Sequence, residues 1–415
     1  MRATTAFCRL LRLEGVRVRD VVFEPGRVIV EVALRRRRLV CPRCSFSTPH
    51  RHDVRPVDSV WRHLDLGTWR LEVRARLRRL VCPVHGVVTE QVPFARHRAE
   101  FTRDFEHLVA WLATRTDKTT ITRQCRIHWR TVGRIVQRVC ADELAPDRLD
   151  RLFEIGIDEV SWRKGHRYLT LVACHRRRQI VWGAQGASAT VADEFYAQLG
   201  PQRCAAITAV SLDMGPGYAK STRANAPQAI VCIDSFHVAK LGGDALDEVR
   251  RDYWNELRTL GDQDAAKRFK DARWALLKRP ENLTGQQSRT LQALKAAGGK
   301  VARAYELKEA LRAIFAPGLT TNDVTELLTR FCSRASRSRM PAFVRLAKTI
   351  RKHHDGILAA VRLGITNARA EALNNKVRLI TRRAYGFHSA RAALALVMLT
   401  CGPITLQPPH ELHLH

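Results

Sequence analysis

The sequence is poor in acidic residues, and this shortage is the first constraint on its function. Its 415 residues include 40 Asp and Glu against 71 Lys and Arg, which gives a formal net charge of +31. Because 45% of the residues are hydrophobic, the composition is that of a folded protein rather than of a disordered basic tail. Such a surplus of positive charge indicates a polyanionic partner. Nucleic acid is the first candidate, and an acidic membrane surface is the second.

The sequence also lacks long hydrophobic runs and an apolar N-terminal leader. Arg2, Arg9 and Arg12 interrupt the stretch where a signal peptide would have its apolar core. The longest apolar run, residues 392–401, is about half of the roughly 20 residues that a membrane helix needs. The cysteines number 11, an odd count, and most stand alone in apolar surroundings, which fits a reducing compartment. We therefore expect a cytoplasmic, nucleoid-associated protein.

Lysine is absent from residues 1–100, which contain 21 Arg and 10 acidic residues. Alternation of apolar and polar residues at 28–32 and 71–80 predicts strands, and hence a small basic β-rich module. Between residues 101 and 150 the apolar spacing becomes helical, and the end of this segment is a plausible linker.

The remaining chain predicts an α/β fold class with a long all-α portion. Residues 151–239 have the pattern strand, strand, strand, helix, strand, strand. Strand signals disappear over residues 240–356, where helices are predicted around a flexible basic stretch at 333–339. Residues 357–415 return to a helical pattern followed by a tail.

Four candidate metal ligands occur in two short knuckles, Cys-Pro-Arg-Cys and Cys-Pro-Val-His, separated by 37 residues. Sulfur and imidazole ligands with this spacing suit a tetrahedral structural Zn²⁺ site, whose binding free energy would help a small module to fold. His50 and His52 lie near the first knuckle and are alternatives to the histidine of the second, which we favour because the knuckles mirror each other. The favoured ligands are Cys41, Cys44, Cys82 and His85.

No acidic residue occurs between positions 118 and 138, although six basic residues do. Val132, Ile135 and Val136 mark a buried helix face, and four arginines at i+4 spacing predict a cationic stripe opposite to it. Together with the preceding helix, the segment resembles a helix-turn-helix with a basic recognition helix. The alternative is a helix with a solvated cationic face. The predicted DNA-binding residues are Arg126, Arg130, Arg134 and Arg138.

Three carboxylates each follow a predicted buried strand. Asp158, Asp213 and Asp234 come directly after apolar runs, and His237 lies three residues beyond the last. Strand ends are where an α/β sheet presents its chemistry. Carboxylates close together resist ionising unless a positive group joins them, and Mg²⁺ suits such an oxygen-rich site. Each acid alone could equally be a helix cap or a turn residue.

Another candidate acid stands alone in a basic segment. Glu371 is the only acidic residue between Asp355 and Glu411, and helical spacing places it on one polar face with Asn367 and Asn374. The pattern predicts a metal ligand beside a track that binds phosphates. The basic residues of this track are Lys376, Arg378, Arg382 and Arg383.

In combination these motifs resemble the ISL-three family of bacterial insertion-sequence transposases. The match extends over nearly the whole chain, including the knuckles and the helix-turn-helix. The motifs that carry it are Gly-Ile-Asp158-Glu, Asp213-Met, Asp234-Ser-Phe-His237-Val, Asn-Ala-Arg-Ala-Glu371-Ala-Leu-Asn-Asn-Lys and Arg-Arg-Ala-Tyr-Gly-Phe387.

The resemblance implies an RNase H-like domain whose acidic triad, termed DDE, holds two Mg²⁺ or Mn²⁺ ions. Asp158, Asp213 and Glu371 are the implied triad, and Asp234 with His237 is an accessory pair. Asp234 is also a rival to Asp213 as the second metal ligand. The implied reaction is two-metal cleavage of DNA at terminal inverted repeats, followed by strand transfer to target DNA.

The resemblance also implies a division of the chain. The 157 residues between Asp213 and Glu371 exceed what a bare RNase H fold needs, so the helical stretch is an insertion. The implied parts are a zinc-binding DNA-recognition module at 1–100, a helix-turn-helix and linker at 101–150, the first part of the RNase H-like core at 151–239, the insertion at 240–356 and the C-terminal part of the core at 357–415.

Two other functions remain open at this point. A catalytically silent zinc and helix-turn-helix protein, such as a domesticated transposase or a regulator, would bind DNA without cutting it. An RNase H-like nuclease would act on branched DNA. We expect double-stranded DNA as the partner of a homo-oligomer and no membrane, since no amphipathic helix has a bulky aromatic face.

Overall fold

The structure, a computed structural model, describes residues 2–163, 165–365, 368–384 and 386–412, except the side chains of 268, 271, 368–371, 374 and 412. The described chain forms two compact units, Met1–Ala145 with Ile380–His415 and Pro146–Leu379. None of the helices described is both long and apolar enough to cross a lipid bilayer.

The first unit begins with one helix and nine short strands. A four-stranded sheet has the order β1-β2-β7-β6, and its alternating residues Val28, Val30, Leu71 and Val73 form a core with Trp61. Smaller ladders pair β3 with β4 and β5, β8 and β9 with one another. The bounds are α1 Ala3–Leu11, β1 Val16–Glu24, β2 Arg27–Leu34, β3 Leu39–Val40, β4 Ser47–Thr48, β5 Asp53–Val54, β6 Ser59–Arg62, β7 Arg70–Ala75, β8 Arg78–Cys82 and β9 Gly86–Thr89.

Three helices follow and confirm the predicted helical segment: α2 Arg103–Arg115, α3 Lys118–Cys125 and α4 Trp129–Glu143. Side chains cap each N-terminus: Thr102 accepts a hydrogen bond from Phe105 N, Asp117 from Thr120 N and His128 from Arg130 N. Such caps satisfy backbone donors that lack helical partners. The arrangement is a helix-turn-helix in which α4 is the second helix.

The second unit contains a five-stranded sheet of order β12-β11-β10-β13-β14. The first three strands are antiparallel, and β10, β13 and β14 are parallel. This arrangement confirms the mixed α/β class and the five predicted strands, but the sequence-based order lacks α6 and also α7, which lies between β13 and β14. A short 3-10 helix, Pro146–Leu149, precedes the sheet. The bounds are β10 Glu154–Arg163, β11 Arg167–Cys174, β12 Gln179–Gln185, α5 Ala189–Leu199, α6 Pro201–Ala205, β13 Ala209–Leu212, α7 Pro216–Asn225 and β14 Ile230–Ile233.

Helices cover both faces of this sheet. On one face, Ile155, Ile157 and Val210 pack against Phe195 and Tyr196 of α5. On the other face, Ala209 and Cys232 pack against two alanines near the end of the helical region and against Ile365. The two faces of the sheet are therefore covered by different parts of the chain.

The helical region follows β14 and has its own large core. A 3-10 turn, Pro280–Asn282, lies between α10 and α11. The bounds are α8 Ser235–Thr259, α9 Gln263–Asp271, α10 Arg273–Leu277, α11 Gly285–Ala297, α12 Gly299–Ala313, α13 Thr321–Arg337, α14 Pro341–Lys352, α15 His354–Leu363 and α16 Ala368–Arg383. The prediction of a flexible stretch at 333–339 is wrong, because α13 continues to Arg337 with Ala335 buried in the core.

The C-terminal residues divide differently from the sequence-based boundaries. The limit between the two units falls within α16, and residues 380–415 group with the N-terminal unit rather than with residues 357–379. The last helices are α17 Ala390–Cys401 and α18 Pro409–Leu412. The physical reason is that α17 is apolar along most of its length and packs on α4 and α2.

Candidate functional sites

The two knuckles come together at one point of the first unit. Cys41 Sγ lies 3.6 Å from His85 Nδ1, Cys82 Sγ lies 3.5 Å from the same nitrogen, and Cys44 Sγ lies 3.7 Å from Cys82 Sγ. Within the described residues, these four are the group whose donor atoms all lie within 4.8 Å of one another. His52 instead pairs with Asp53, at 3.2 Å.

The donor set fits a tetrahedral zinc ion. Sulfur atoms about 2.3 Å from a Zn²⁺ ion at tetrahedral angles lie about 3.8 Å apart, close to the separation of Cys44 and Cys82. Burial acts to raise the pKa of the Cys82 thiol, but hydrogen bonds from His85 and from backbone amides together lower that pKa to about 6. A thiolate is the form that binds metal. Leu39 and Leu80 enclose the cluster in a small apolar core.

The predicted arginine stripe is only partly present. Arg130 and Arg134 are exposed on α4. The prediction that Arg126 shares their helix is wrong, because Arg126 adopts a left-handed conformation (φ 53°) and ends α3. Its guanidinium donates to Asp65 and to Thr68 O, which fastens the turn between α3 and α4 to the β-rich module.

Other predicted cationic residues have partners within the protein. Arg138 forms an ion pair with buried Glu106, with 2.9 Å between Nε and Oε1. Arg383 donates to Thr114 O at 2.8 Å and to Arg115 O at 2.7 Å, which satisfies carbonyls at the C-terminus of α2. The remaining members of the predicted track, Lys376, Arg378 and Arg382, are exposed.

The strand-end carboxylates of the second unit lie at one level of the sheet. Parallel pairing matches Gly156 of β10 with Ser211 of β13, and Leu212 with Ile233 of β14. Asp158 and Asp213 each lie two residues after the matched pair of Gly156 and Ser211, so the register aligns them with each other. Asp213 and Asp234 each lie one residue after the matched pair of Leu212 and Ile233, so they are aligned as well. Partners at one level of a parallel ladder point to the same face.

One sequence-based expectation about these acids is corrected. Asp158 lies inside β10 rather than at its end, because antiparallel pairing with β11 carries the strand on to Arg163. Parallel pairing with β13, however, stops at Gly156. Asp158 is thus placed where one neighbouring strand has ended, and its carboxylate is half-buried.

The charges of Asp158 and Asp213 act on two neighbouring groups, Glu159 and Tyr218. Burial, followed by the charges of Asp213 and Asp158, raises the pKa of Glu159. Burial and the same acids also raise the pKa of Tyr218 to about 12, and its hydroxyl lies 2.9 Å from Thr170 Oγ1. The region is a concentration of negative charge in a protein whose net charge is strongly positive, as expected of a cation site.

Sequence reasoning missed a buried polar pair on this face. His175 Nε2 lies 2.7 Å from Ser211 Oγ, and both side chains are buried. A Cβ atom on Gly156 would lie 2.9 Å from that oxygen and 3.1 Å from that nitrogen, so a larger residue would displace at least one of the two side chains. The sequence contained one indication of this pair: Gly156 lies inside a predicted strand, and a glycine there often marks a site where another group approaches the backbone closely.

Asp234 and His237 form the predicted pair at the start of α8. Asp234 is 1% exposed, its side chain accepts a hydrogen bond from Phe236 N, and its Oδ2 lies 3.6 Å from His237 Nε2. The carboxylate is therefore both a helix cap and an electrostatic partner of the imidazole. Glu371 belongs to α16, but its side chain, that of Asn374 and all of Asn367 lie outside the described residues.

Comparisons with known proteins identify two matching families. The family model for DDE transposases of the ISL3 type, described as Transposase, matches residues 155–396. A second model, described as Helix-turn-helix domain of transposase family ISL3, matches residues 90–140. These two ranges include α2 to α4, the sheet acids and α16.

Individual relatives are similar over most of their length. The chain is 41% identical over 360 residues to the transposase for insertion sequence element IS1557 from two strains of Mycobacterium tuberculosis, covering 82% of this chain and 81% of that protein. It is 29% identical over 373 residues to the transposase for insertion sequence element IS1001 of Bordetella parapertussis, covering 88% and 89%.

Proposed function

The chain belongs to the ISL3 (ISL-three) family of DDE insertion-sequence transposases, and we propose that Asp158, Asp213 and Glu371 are its catalytic triad. The protein is thus a DNA-cleaving transposase that binds DNA and uses divalent metal. The observation that supports the two aspartates is the register of β10 and β13, because each aspartate lies two residues beyond the matched pair of Gly156 and Ser211.

The sheet supports an RNase H-like core. Along the chain, three antiparallel strands are followed by two parallel ones. Across the sheet, the order β12-β11-β10-β13-β14 places the third, second, first, fourth and fifth strands of the unit side by side. The first and fourth strands are therefore adjacent in the centre, where they carry the first two acids. The face of Ala209 and Cys232, covered by α15, is the one on which the last helix of such a core would pack.

The oxygen-only donor set fits Mg²⁺ or Mn²⁺. A pair of such ions would polarise the phosphoryl group and stabilise the attacking and leaving oxygens. Asp158, Asp213 and Glu371 would hold the ions, while Tyr218 keeps its proton next to them. Asp234 fixes the start of α8 and holds His237 near the acids, which suits a supporting role.

The N-terminal unit would select the substrate. Cys41, Cys44, Cys82 and His85 would hold a structural Zn²⁺ ion that fixes the β-rich module. α4 would enter the major groove of the terminal inverted repeats, with Arg130 and Arg134 on its exposed face. Lys376, Arg378 and Arg382 would contact phosphates near Glu371, whereas Arg126, Arg138 and Arg383 would act chiefly through their intramolecular partners.

In this proposal the zinc module, helix-turn-helix, core and insertion have the approximate limits 1–100, 101–150, 151–239 and 240–356, and the core resumes at 357. The protein would work with DNA in the cytoplasm, as a homo-oligomer that joins two element ends. Strand transfer to target DNA would use the same acids as cleavage, with no covalent protein–DNA intermediate.

The proposal is tested by replacing a central carboxylate. Asp158→Asn should lower Mg²⁺-dependent cleavage at least about 1,000-fold while changing DNA affinity less than about twofold, because only one metal ligand is lost. The substrate is a duplex that carries the terminal repeat of the insertion sequence encoding this chain, hereafter the end duplex. Glu194→Gln, which neutralises an exposed carboxylate on α5, is the matched control and should cleave normally. Normal cleavage by Asp158→Asn would refute the assignment.

A further inference from the structure

The surface around α4 is built by both ends of the chain. Arg383 is bonded to the C-terminus of α2, and Ser389 Oγ accepts a hydrogen bond from Ala392 N at the start of α17. His388 directly precedes Ser389, and α17 packs on α4, so His388 lies beside the recognition helix.

His388 lies directly against the recognition helix. Its ring centre is 6.0 Å from that of Trp129, and its Cε1 atom is 3.9 Å from where a Cβ of Gly133 would lie. Lys118 Nζ lies 3.6 Å from the same Cβ position, so the side chains of Lys118 and His388 both approach α4 at Gly133. Trp129 is 44% exposed, and Lys118 Nζ lies 4.2 Å from the centre of its ring.

Three clefts of the first unit are neighbours, because successive clefts share lining residues, and together they are called the basic trough. A cleft of about 620 Å³, lined by the β-rich module and the segment that precedes α2, includes Arg43 and His97. A second, of about 530 Å³, shares His97 and adds Arg134 and Arg391. A third, of about 780 Å³, shares Arg134 and is completed by residues of α4 with His388.

The charge of the basic trough is strongly positive beside α4. Lys118, Arg130, Arg134 and Arg391 line its second and third clefts. Asp142 is the acidic residue lining them, and its carboxylate is already held by arginine partners. Within the described chain no carboxylate lies within 4.0 Å of the guanidinium of Arg130 or Arg391. The guanidinium of Arg134 donates to Thr131 Oγ1 at 3.4 Å and lies 3.9 Å from the exposed carboxylate of Glu100. Such cationic groups are suited to phosphates.

We propose that His388 and Arg391 are DNA-contacting residues, so that the surface that binds the element end is formed jointly by the helix-turn-helix and the C-terminal segment. Arg391 contacts a phosphate flanking the groove that α4 enters. His388 holds Trp129 and contacts the DNA beside it. This inference rests on the proposed end binding by α4, and it adds residues from the opposite end of the chain to that interface.

The test measures the affinity of full-length protein for the end duplex and for a random duplex of equal length, from about 50 to 200 mM salt. Arg391→Ala should weaken binding to both duplexes, by up to about tenfold, and lower the magnitude of the salt slope by about 0.9, because one phosphate contact is lost. His388→Ala should weaken binding to the end duplex more than to the random duplex. Arg391→Lys should keep the slope.

Two further variants, measured in the same way, distinguish failure of this inference from failure of the proposed role of α4. Arg9→Ala removes an exposed arginine on α1 outside the basic trough and should leave binding unchanged. Arg130→Ala tests end binding by α4 itself. If Arg130→Ala weakens binding while Arg391→Ala and His388→Ala behave like Arg9→Ala, the inference is refuted and the role of α4 stands. If Arg130→Ala also leaves affinity and salt slope unchanged, the proposed role of α4 fails with it.

Discussion

Asp213 and Asp234 follow neighbouring parallel strands at the same register, yet their surroundings differ. Asp213 is half-buried and accepts a hydrogen bond from Gly215 N at 2.9 Å. Asp234 is almost completely buried and caps α8. A metal ligand in a DNA-cleaving site must remain accessible to a phosphate, which favours Asp213. Asp234 instead combines helix capping with its interaction with His237.

This difference predicts opposite results for two matched variants. Asp213→Asn should abolish cleavage of the end duplex, because it removes a proposed metal ligand. Asp234→Asn should keep cleavage within about tenfold of wild type, because asparagine caps a helix as well as aspartate does. Single-turnover cleavage rates at saturating Mg²⁺ provide the measurement. The reverse order of the two variants would make Asp234 the second ligand.

The candidate site residues could be proposed from the sequence, but their surroundings could not be predicted from it. The acids stood out because each followed an apolar run, and the knuckles because their spacing is short and local. The contact joins His175, which directly follows β11, to Ser211 of β13, and β10 lies between these two strands, so no local sequence pattern indicates it. Gly156, whose missing side chain leaves space for the pair, was the one indication of this contact in the sequence.

At the scale of secondary structure elements, an arginine at the centre of an ion cluster joins α2 and α4. Arg96 is buried and reaches Glu106 at 3.2 Å, Asp142 at 2.7 Å and Glu143 at 2.7 Å. Glu106 is 0% exposed, and its second oxygen pairs with Arg138. Breaking a buried cluster is costly because it leaves an uncompensated charge inside the protein.

We therefore predict that Arg96→Met lowers the free energy of unfolding of the N-terminal unit by roughly 3–5 kcal/mol. Arg103→Ala is the matched control: it removes another partner of Asp142, but an exposed one, and should cost less than about 1 kcal/mol. Urea unfolding followed by circular dichroism measures both variants. Equal, small losses would show that the cluster does not hold the two helices together.

The knuckles predict a metal dependence of the β-rich module. Cys41→Ser removes one of four ligands, so purified protein should contain about one zinc ion fewer per chain, and the module should lose its protection from proteolysis. Chelation of the wild-type protein should have the same effect. Cys140→Ser, which alters a buried cysteine of α4 outside the cluster, should keep its zinc. Unchanged zinc content in Cys41→Ser would exclude the site.

The elements themselves were largely predictable, and their ends were not. Hydrophobic periodicity predicted the five strands of the second unit and α5, but not α6 or the helix α7 between the last two strands. It also extended the arginine stripe through Arg126, because i+4 spacing cannot show that a left-handed residue ends α3 there. For β10, antiparallel pairing with β11 extends the strand past Asp158, an effect of tertiary pairing that the apolar run alone does not contain.

At the scale of the whole molecule, the basic residues that give the net charge of +31 have two different roles. Some arginines, including Arg96, Arg126 and Arg383, hold elements together. Others, such as Arg130 and Arg391, are exposed along the basic trough. The grouping of residues 380–415 with the N-terminal unit was not predictable, because it results from packing of α17 on elements more than 200 residues earlier in the chain.

The central claim is that this transposase cuts DNA with Asp158, Asp213 and Glu371. The most direct measurement is cleavage of the end duplex by Glu371→Gln in Mg²⁺ and in Mn²⁺, with the affinity of the same variant for the end duplex measured in parallel. We predict loss of cleavage by at least about 1,000-fold with nearly unchanged affinity, because only a metal ligand is removed. Cleavage at the wild-type rate would contradict the account.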